Sequence, residues 1–187
     1  MILMISNLKK YMNTNRKHTI LDLFSGIGGF SYGLERTGGF ETVAFCEIDK
    51  YCQQVLRKHW KDVPIFNNVE ELTYERLKEE GIDRPTVVVG GFPCQDISVA
   101  GRGAGIVEGK RSGLWSEFAR IIEDVQPTWA IIENVSALRS KGLTLVLQDL
   151  WKIGYDAEWH CIPCSAIGGL HRRDRIWIIA RPNMAHT

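Results

Sequence analysis

The sequence predicts an α/β fold: a mostly parallel sheet of about seven strands, with helices on both faces and the last strand antiparallel. Three observations predict it. Short apolar runs alternate with helix-period segments from Thr19 onward, and strand–helix–strand repetition is how parallel strands are joined. Several of these runs are continuous apolar blocks, such as Val87-Val88-Val89 and Ile131-Ile132, which suits strands covered on both faces. The last two candidate strands have no helix between them, so they are free to pair antiparallel.

Residues 1–18 are polar and basic, with Lys9, Lys10, Arg16 and Lys17, and read as a loosely ordered lead-in. The strands follow at Thr19–Phe24, Thr42–Glu47, Val63–Phe66, Thr86–Gly91, Trp129–Glu133, Tyr155–Pro163 and Arg175–Ala180. Helices are predicted over Phe30–Arg36 and Lys50–Trp60, and a charged surface helix over Glu70–Glu80. In Gly113–Val125, Leu114, Trp115, Phe118, Ile121, Ile122 and Val125 recur at helical spacing and form one apolar face. Leu143–Ile153 ends at Gly154, a fitting residue to stop a helix. No internal repeat and no linker marks a second domain, so 19–187 reads as one unit.

Bulk composition excludes several classes. At 187 residues, with 44% hydrophobic and 24% charged, the chain can build a real core and carries no disorder signature. The apolar start, Met1 to Ile5, is too short for a signal-peptide core or a membrane span. Five scattered cysteines fit free thiols in a reducing, cytoplasmic setting better than a disulfide framework. A net charge of +1 gives no global basic excess, so any nucleic-acid site must come from local clustering.

Candidate chemistry gathers at the strand ends. The first strand runs into Asp22-Leu23-Phe24-Ser25-Gly26-Ile27-Gly28-Gly29 and then a helix. Glycines at such a turn let backbone approach a ligand and aim helix N–H groups at it. Glu47 follows Gly26 by 21 residues, where a doubly wound fold places an acid for ribose hydroxyls. These features fit NAD, FAD or S-adenosylmethionine. The adjacency of Gly28 and Gly29, with Ser31 beyond, departs from the dinucleotide spacing.

After the fourth strand comes Gly90-Gly91-Phe92-Pro93-Cys94-Gln95. A thiolate is a strong nucleophile once nearby cations lower its pKa, and Arg102, Lys110 and Arg111 follow on a glycine-rich stretch. Without those neighbours the bland reading, a free cysteine in a loop, would stand equally well. Glu133-Asn134-Val135 ends the fifth strand, level with Cys94, where a carboxylate is placed to give or take a proton. His171-Arg172-Arg173-Asp174-Arg175 leads into the last strand; arginines so spaced suit a pyrimidine oxygen and phosphates, or simply a solvated turn. Cys161-Ile162-Pro163-Cys164 has zinc or redox spacing, but no second Cys/His pair answers it, and strand-end packing with no metal is the expectation.

Taken in this order, the motifs resemble the cytosine-C5 DNA methyltransferases over residues 19–181. The resemblance implies a Rossmann-like sheet and S-adenosylmethionine as cofactor. It implies that Asp22–Gly29, with Ser25, Ile27 and Gly29, is the cofactor turn, and that Glu47 is the ribose acid. Phe24 and Ile48 would pack on the adenine; Gly26, Gly28 and Leu114 would line the methionine part. Asn68 and Val69 would lie at the adenine edge, and Pro93 beside the cofactor. Cys94 would attack C6 of a cytosine flipped out of duplex DNA, Glu133 would protonate N3, and Arg175 with Arg173 would hold the base. Gln95, Ser98, Arg102, Asn134 and Arg172 would contact the substrate. RNA stays open as a substrate, since the catalytic motifs act on the base.

Asn68 stands where the family usually has an aspartate, and His171 where it has a glutamine. After Thr187 none of the family's recognition domain or returning helix is found. Three expectations follow: a catalytic part completed by a second polypeptide, an inactive remnant that binds cofactor or DNA, or a minimal enzyme. An NAD-dependent oxidoreductase is the rival from another class. It leaves Pro93-Cys94-Gln95 and Glu133-Asn134-Val135 without a role. Protection of DNA against restriction is the biological role that the family suggests.

Overall fold

Val87, Val88 and Val89 are all fully buried, because the strand they form lies in the middle of a sheet covered on both sides. The computed structural model describes residues 16–93 and 113–183. Its strands are β1 (His18–Leu23), β2 (Phe40–Cys46), β3 (Ile65–Phe66), β4 (Val87–Gly90), β5 (Trp129–Val135), β6 (Tyr155–Pro163) and β7 (Asp174–Pro182). They form one seven-stranded sheet in the order β3-β2-β1-β4-β5-β7-β6. The first five run parallel, and β7 pairs antiparallel with both β5 and β6.

The helices are α1 (Gly29–Glu35), α2 (Lys50–His59), α3 (Tyr74–Glu79), α4 (Gly113–Val125), α5 (Leu138–Lys141) and α6 (Leu143–Lys152). Alternate strand residues face opposite ways, and this divides the core. On one face Leu21, Leu23, Val88, Ala130, Ile132, Ile176 and Ile178 pack with Trp115, Phe118 and Ile122 of α4 and Val146 and Leu150 of α6. On the other, Ile20, Val87, Val89 and Ile131 take Phe30 and Leu34 of α1. Gly90 is required where β1 and β4 meet: a Cβ there would collide with the Leu23 carbonyl and press on Phe118.

Element boundaries move by a residue or two from the sequence reading, and three differences have physical causes. His18 leaves the lead-in to join β1, where it pairs with Phe40. β3 keeps only Ile65 and Phe66, because Val63 turns back to the Trp60 carbonyl and Pro64 has no N–H to pair. The single helix expected over Glu70–Glu80 is two pieces, a 3₁₀ turn (Val69–Glu71) and α3. Between them Leu72 is extended and buried, and the Thr73 side chain caps the Arg76 N–H. The short α5, not expected, precedes α6. At the other end of α6, Gly154 takes a left-handed φ of 86°, as a residue after a helix end does. No helix among the described residues is long and apolar enough to cross a membrane.

The arrangement sends the C-terminal ends of β1, β2, β4 and β5 to one edge. The start of β7 joins them there, since Arg175 is opposite Val135.

Candidate active site

The glycine turn at this edge is tied to the strands on both sides of it. Ser25 N–H donates to the Cys46 carbonyl, and Ser25 Oγ lies 2.6 Å from the Asp22 carbonyl oxygen. The turn closes with Gly28 N–H on the Ser25 carbonyl, with Phe24, Gly26 and Gly28 all at positive φ. Phe24 is not a glycine, so its φ of 52° stores local strain of about 1–3 kcal/mol. Its ring lies flat against Phe118, centroids 6.1 Å apart. Glu47 answers from the end of β2: Oε2 accepts from Gly26 N–H at 2.7 Å and Oε1 from Asp49 N–H at 2.8 Å.

The sequence-predicted acid and turn are thus brought into direct contact. Around them, Ile48 is 76% exposed and Ile27 60% exposed, and the Cβ positions of Gly26 and Gly29 meet nothing within 4 Å. The result is an open cradle with a carboxylate at its rim and apolar side chains on either side.

Three supports for the cradle were not singled out from sequence. The Trp60 ring fills the space where a Cβ on Gly28 would stand, 2.6 Å away. Its Nε1–H donates to Glu35 Oε2, and Glu35 Oε1 accepts from Thr42 N–H. Gln53 Nε2 donates to the Glu47 carbonyl and to Asn67 Oδ1, tying the acid to β3. Its signal was a polar residue on the buried side of α2, close to Leu56. Asp22, buried under the turn, accepts from Ser31 N–H and Oγ–H, and burial pushes its carboxyl up to about 7.

Asn68 sits at the end of β3, where its Oδ1 accepts from Glu70 N–H and its Nδ2 reaches Glu71. Its carbonyl oxygen already caps the 3₁₀ turn, leaving one lone pair for a ligand. Val69 is buried beside it, and Leu114 is half-buried against the core at the start of α4.

Two strands away, Glu133 Oε1 pairs with Arg175 Nε at 2.5 Å across the β5–β7 step. Both side chains are largely buried. Burial raises the Glu133 carboxyl above its ordinary range, while Arg175 and then Arg173 pull it back. Gly91, directly after β4, leaves room for this carboxylate: a Cβ there would come 2.7 Å from Glu133 Oε2. Pro93 is exposed just beyond.

Asn134, the next residue along β5, faces the opposite side of the sheet from Glu133. It is 3% exposed, and its Nδ2 donates to the Phe92 carbonyl, which ties it to the end of β4. Arg172 and Arg173 are exposed in the loop before β7. Cys94, Gln95, Ser98 and Arg102 lie outside the described residues. Cys164 Sγ lies 3.8 Å from His171 Nε2, and no group of three metal-ligating side chains gathers among the described residues.

A glycine turn answered by an acid on the next strand, with a carboxylate–guanidinium pair further along the same edge, is the layout of a nucleotide-cofactor enzyme built on an open α/β sheet. Residues 18–186 match the family model of the C-5 cytosine-specific DNA methylases, and the chain belongs to that family. It is 36% identical over 162 residues to the type II methyltransferase M.CviJI of Paramecium bursaria Chlorella virus IL3A, covering 86% of this chain and 42% of that protein. To M.AluI of Cellulosimicrobium cellulans it is 34% identical over 179 residues, covering 89% and 34%. The chain therefore spans less than half the length of these relatives.

Among solved structures, a mutant of Spodoptera frugiperda DNMT2 superposes with a TM-score of 0.72 at 22% identity, covering 90% of this chain and 51% of that one. The Entamoeba histolytica methyltransferase EhMeth gives 0.69 at 18% identity, covering 89% and 53%. Both show the fold.

Methyltransferases of this family and fold use S-adenosylmethionine. The cradle has the chemistry for such a group: a carboxylate at Glu47, apolar side chains at Phe24 and Ile48, and open space at the Gly26 and Gly29 positions.

Proposed function

We propose that this chain is the catalytic part of an enzyme that methylates C5 of cytosine in DNA. The observation that carries the reading is the Glu133–Arg175 pair, because a carboxyl kept protonated more readily than usual is what N3 of cytosine needs. When bound, S-adenosylmethionine supplies an electrophilic methyl group.

The chain's own residues do the rest. Glu47 and the turn from Phe24 to Gly29 hold the cofactor; Arg175, with Arg173 near, holds the O2 side of a cytosine taken out of the stack. Cys94 Sγ, one residue beyond Pro93, bonds to C6 as Glu133 delivers a proton to N3, which places electron density on C5. After methylation N3 returns its proton to Glu133, and loss of the C5 proton to water restores the C5–C6 double bond and expels the Cys94 thiolate. The relatives are type II methyltransferases by their names, and protection of DNA against restriction is proposed as the role here.

More than half of each relative lies outside the region shared with this chain, and the base-reading residues that confer sequence choice are proposed to come from such a region, on this polypeptide or on a second one. The test is transfer of labelled methyl from S-adenosylmethionine to mixed-sequence duplex DNA, with and without a recognition region taken from a longer relative. Label on cytosine C5 that disappears in Cys94→Ala, and falls by about 10²–10⁴ in Glu133→Gln, supports the reading. Transfer undiminished in Cys94→Ala would sink the covalent route. Cofactor binding with no transfer under either condition would favour an inactive remnant.

A further inference from the structure

Gln53 is a polar side chain where helix packing calls for an apolar one. It shares the buried face of α2 with Leu56, one turn on, and is 5% exposed. A buried amide without partners costs stability. Both N–H groups of Gln53 Nε2 are used here, on the Glu47 carbonyl at 2.6 Å and on Asn67 Oδ1 at 2.8 Å. Its Oε1 accepts from Arg57 at 3.3 Å.

The two acceptors belong to different arms of the cradle. Glu47 follows β2, and its carboxylate accepts from the Gly26 and Asp49 N–H groups. Asn67 follows β3 and directly precedes Asn68, whose side chain caps the 3₁₀ turn. Strand pairing holds these arms together only briefly. The β2–β3 ladder is Phe45 with Ile65 and Cys46 with Phe66, followed by Glu47 N–H on the Phe66 carbonyl. Beyond that bond, the connection between the two segments passes through the Gln53 amide.

This connection bears on the carboxylate. An ionised carboxylate has about four lone-pair sites, and Gly26 and Asp49 take one on each oxygen of Glu47. The direction of the remaining pair follows from where the backbone of residue 47 sits. Glutamine is suited to hold it there: glutamate would set a third acceptor against two, and asparagine is a methylene short.

We propose that Gln53 is a positioning residue, which fixes the Glu47 arm against the Asn67 arm and thereby sets the preference of the site for a cofactor carrying both ribose hydroxyls. The proposal rests on the reading of Glu47 as the ribose acid. Gln53 acts through Glu47 and Asn67, by keeping the free lone pairs aimed before the ligand arrives.

The test measures, by calorimetry on the full chain, affinity for S-adenosylhomocysteine and for its analogue lacking both ribose hydroxyls. The unaltered chain is expected to prefer the first by about tenfold or more. Gln53→Met, close in length and volume, is expected to weaken S-adenosylhomocysteine about tenfold and to shrink the preference about fivefold. Asn67→Ala removes one of the two bonds at an exposed position, so it tests the link even where Gln53→Met does not fold. It is expected to shrink the preference in the same direction, and Asn67→Asp, which keeps the acceptor, to restore it. Combined with Gln53→Met, Asn67→Ala is expected to add little, since the two side chains share one bond.

A preference that survives both Gln53→Met and Asn67→Ala overturns the proposal. So does an equal loss for both ligands, the mark of a side chain that only supports the fold. Equal affinity of the unaltered chain for the two ligands removes the ribose role of Glu47 itself, and the proposal falls with it.

Discussion

Asp22 is a buried acid with an uneven environment. Ser31 N–H and Oγ–H both donate to its Oδ2, while its Oδ1 has no partner among the described residues. Burial dominates, and Glu47 and Glu35 add repulsion, so the carboxyl shifts from 3.8 to about 7. The folded protein therefore holds this proton more tightly than the unfolded chain does. The stability linked to it is fully present below about pH 4 and is lost as pH rises to about 7. In Asp22→Asn, whose side chain keeps an acceptor for Ser31 but does not titrate, the fall of melting temperature across that window should flatten. Thermal melts across the range check it; an unchanged slope would show that other groups set it. Glu133 shares the upward direction for the same leading cause, but its half-open position suits proton delivery, whereas Asp22 holds backbone.

At the level of elements, the glycine turn and α2 form one unit. Trp60 ends α2, fills the space beneath Gly28 and is anchored by Glu35 of α1. Gly28→Ala would both strain a φ of 86° and drive a methyl group into the indole. It should cost about 1–3 kcal/mol of stability and weaken cofactor binding at least tenfold, as calorimetry would show. Retained affinity would mean that the turn adapts without Trp60.

This unit also shows what the sequence made legible. Glycines, the acid at Glu47 and the strand ends carry patterns of spacing, and each was found. Trp60 carries none, and Gln53 shows only as a polar residue on the buried side of α2, because both act across the chain through packing and hydrogen bonds. The burial of Asn134 was not legible for a related reason: adjacency to Glu133 in sequence places it on the other face of the strand, where its partner is the Phe92 carbonyl.

Over the whole molecule, core and site share material. Phe118 is fully buried, stacks on Trp115 at 6.0 Å, and lies against the Phe24 ring of the glycine turn. Phe118→Ala should destabilise the protein by about 3–5 kcal/mol and weaken cofactor binding in whatever fraction stays folded. Denaturant melts and titration check the pair. The mostly parallel sheet and its antiparallel last strand were legible in the alternation of apolar runs. The division of 70–80 into two pieces was not, because the burial of Leu72 depends on what packs above it.

Gly91 and Glu133 behave as one site in mutational terms. A Cβ at residue 91 would come 2.7 Å from Glu133 Oε2, so in Gly91→Ala the end of that side chain turns aside from the position in which Arg175 holds it. The losses caused by Gly91→Ala and Glu133→Gln are therefore expected not to add, since groups in contact couple.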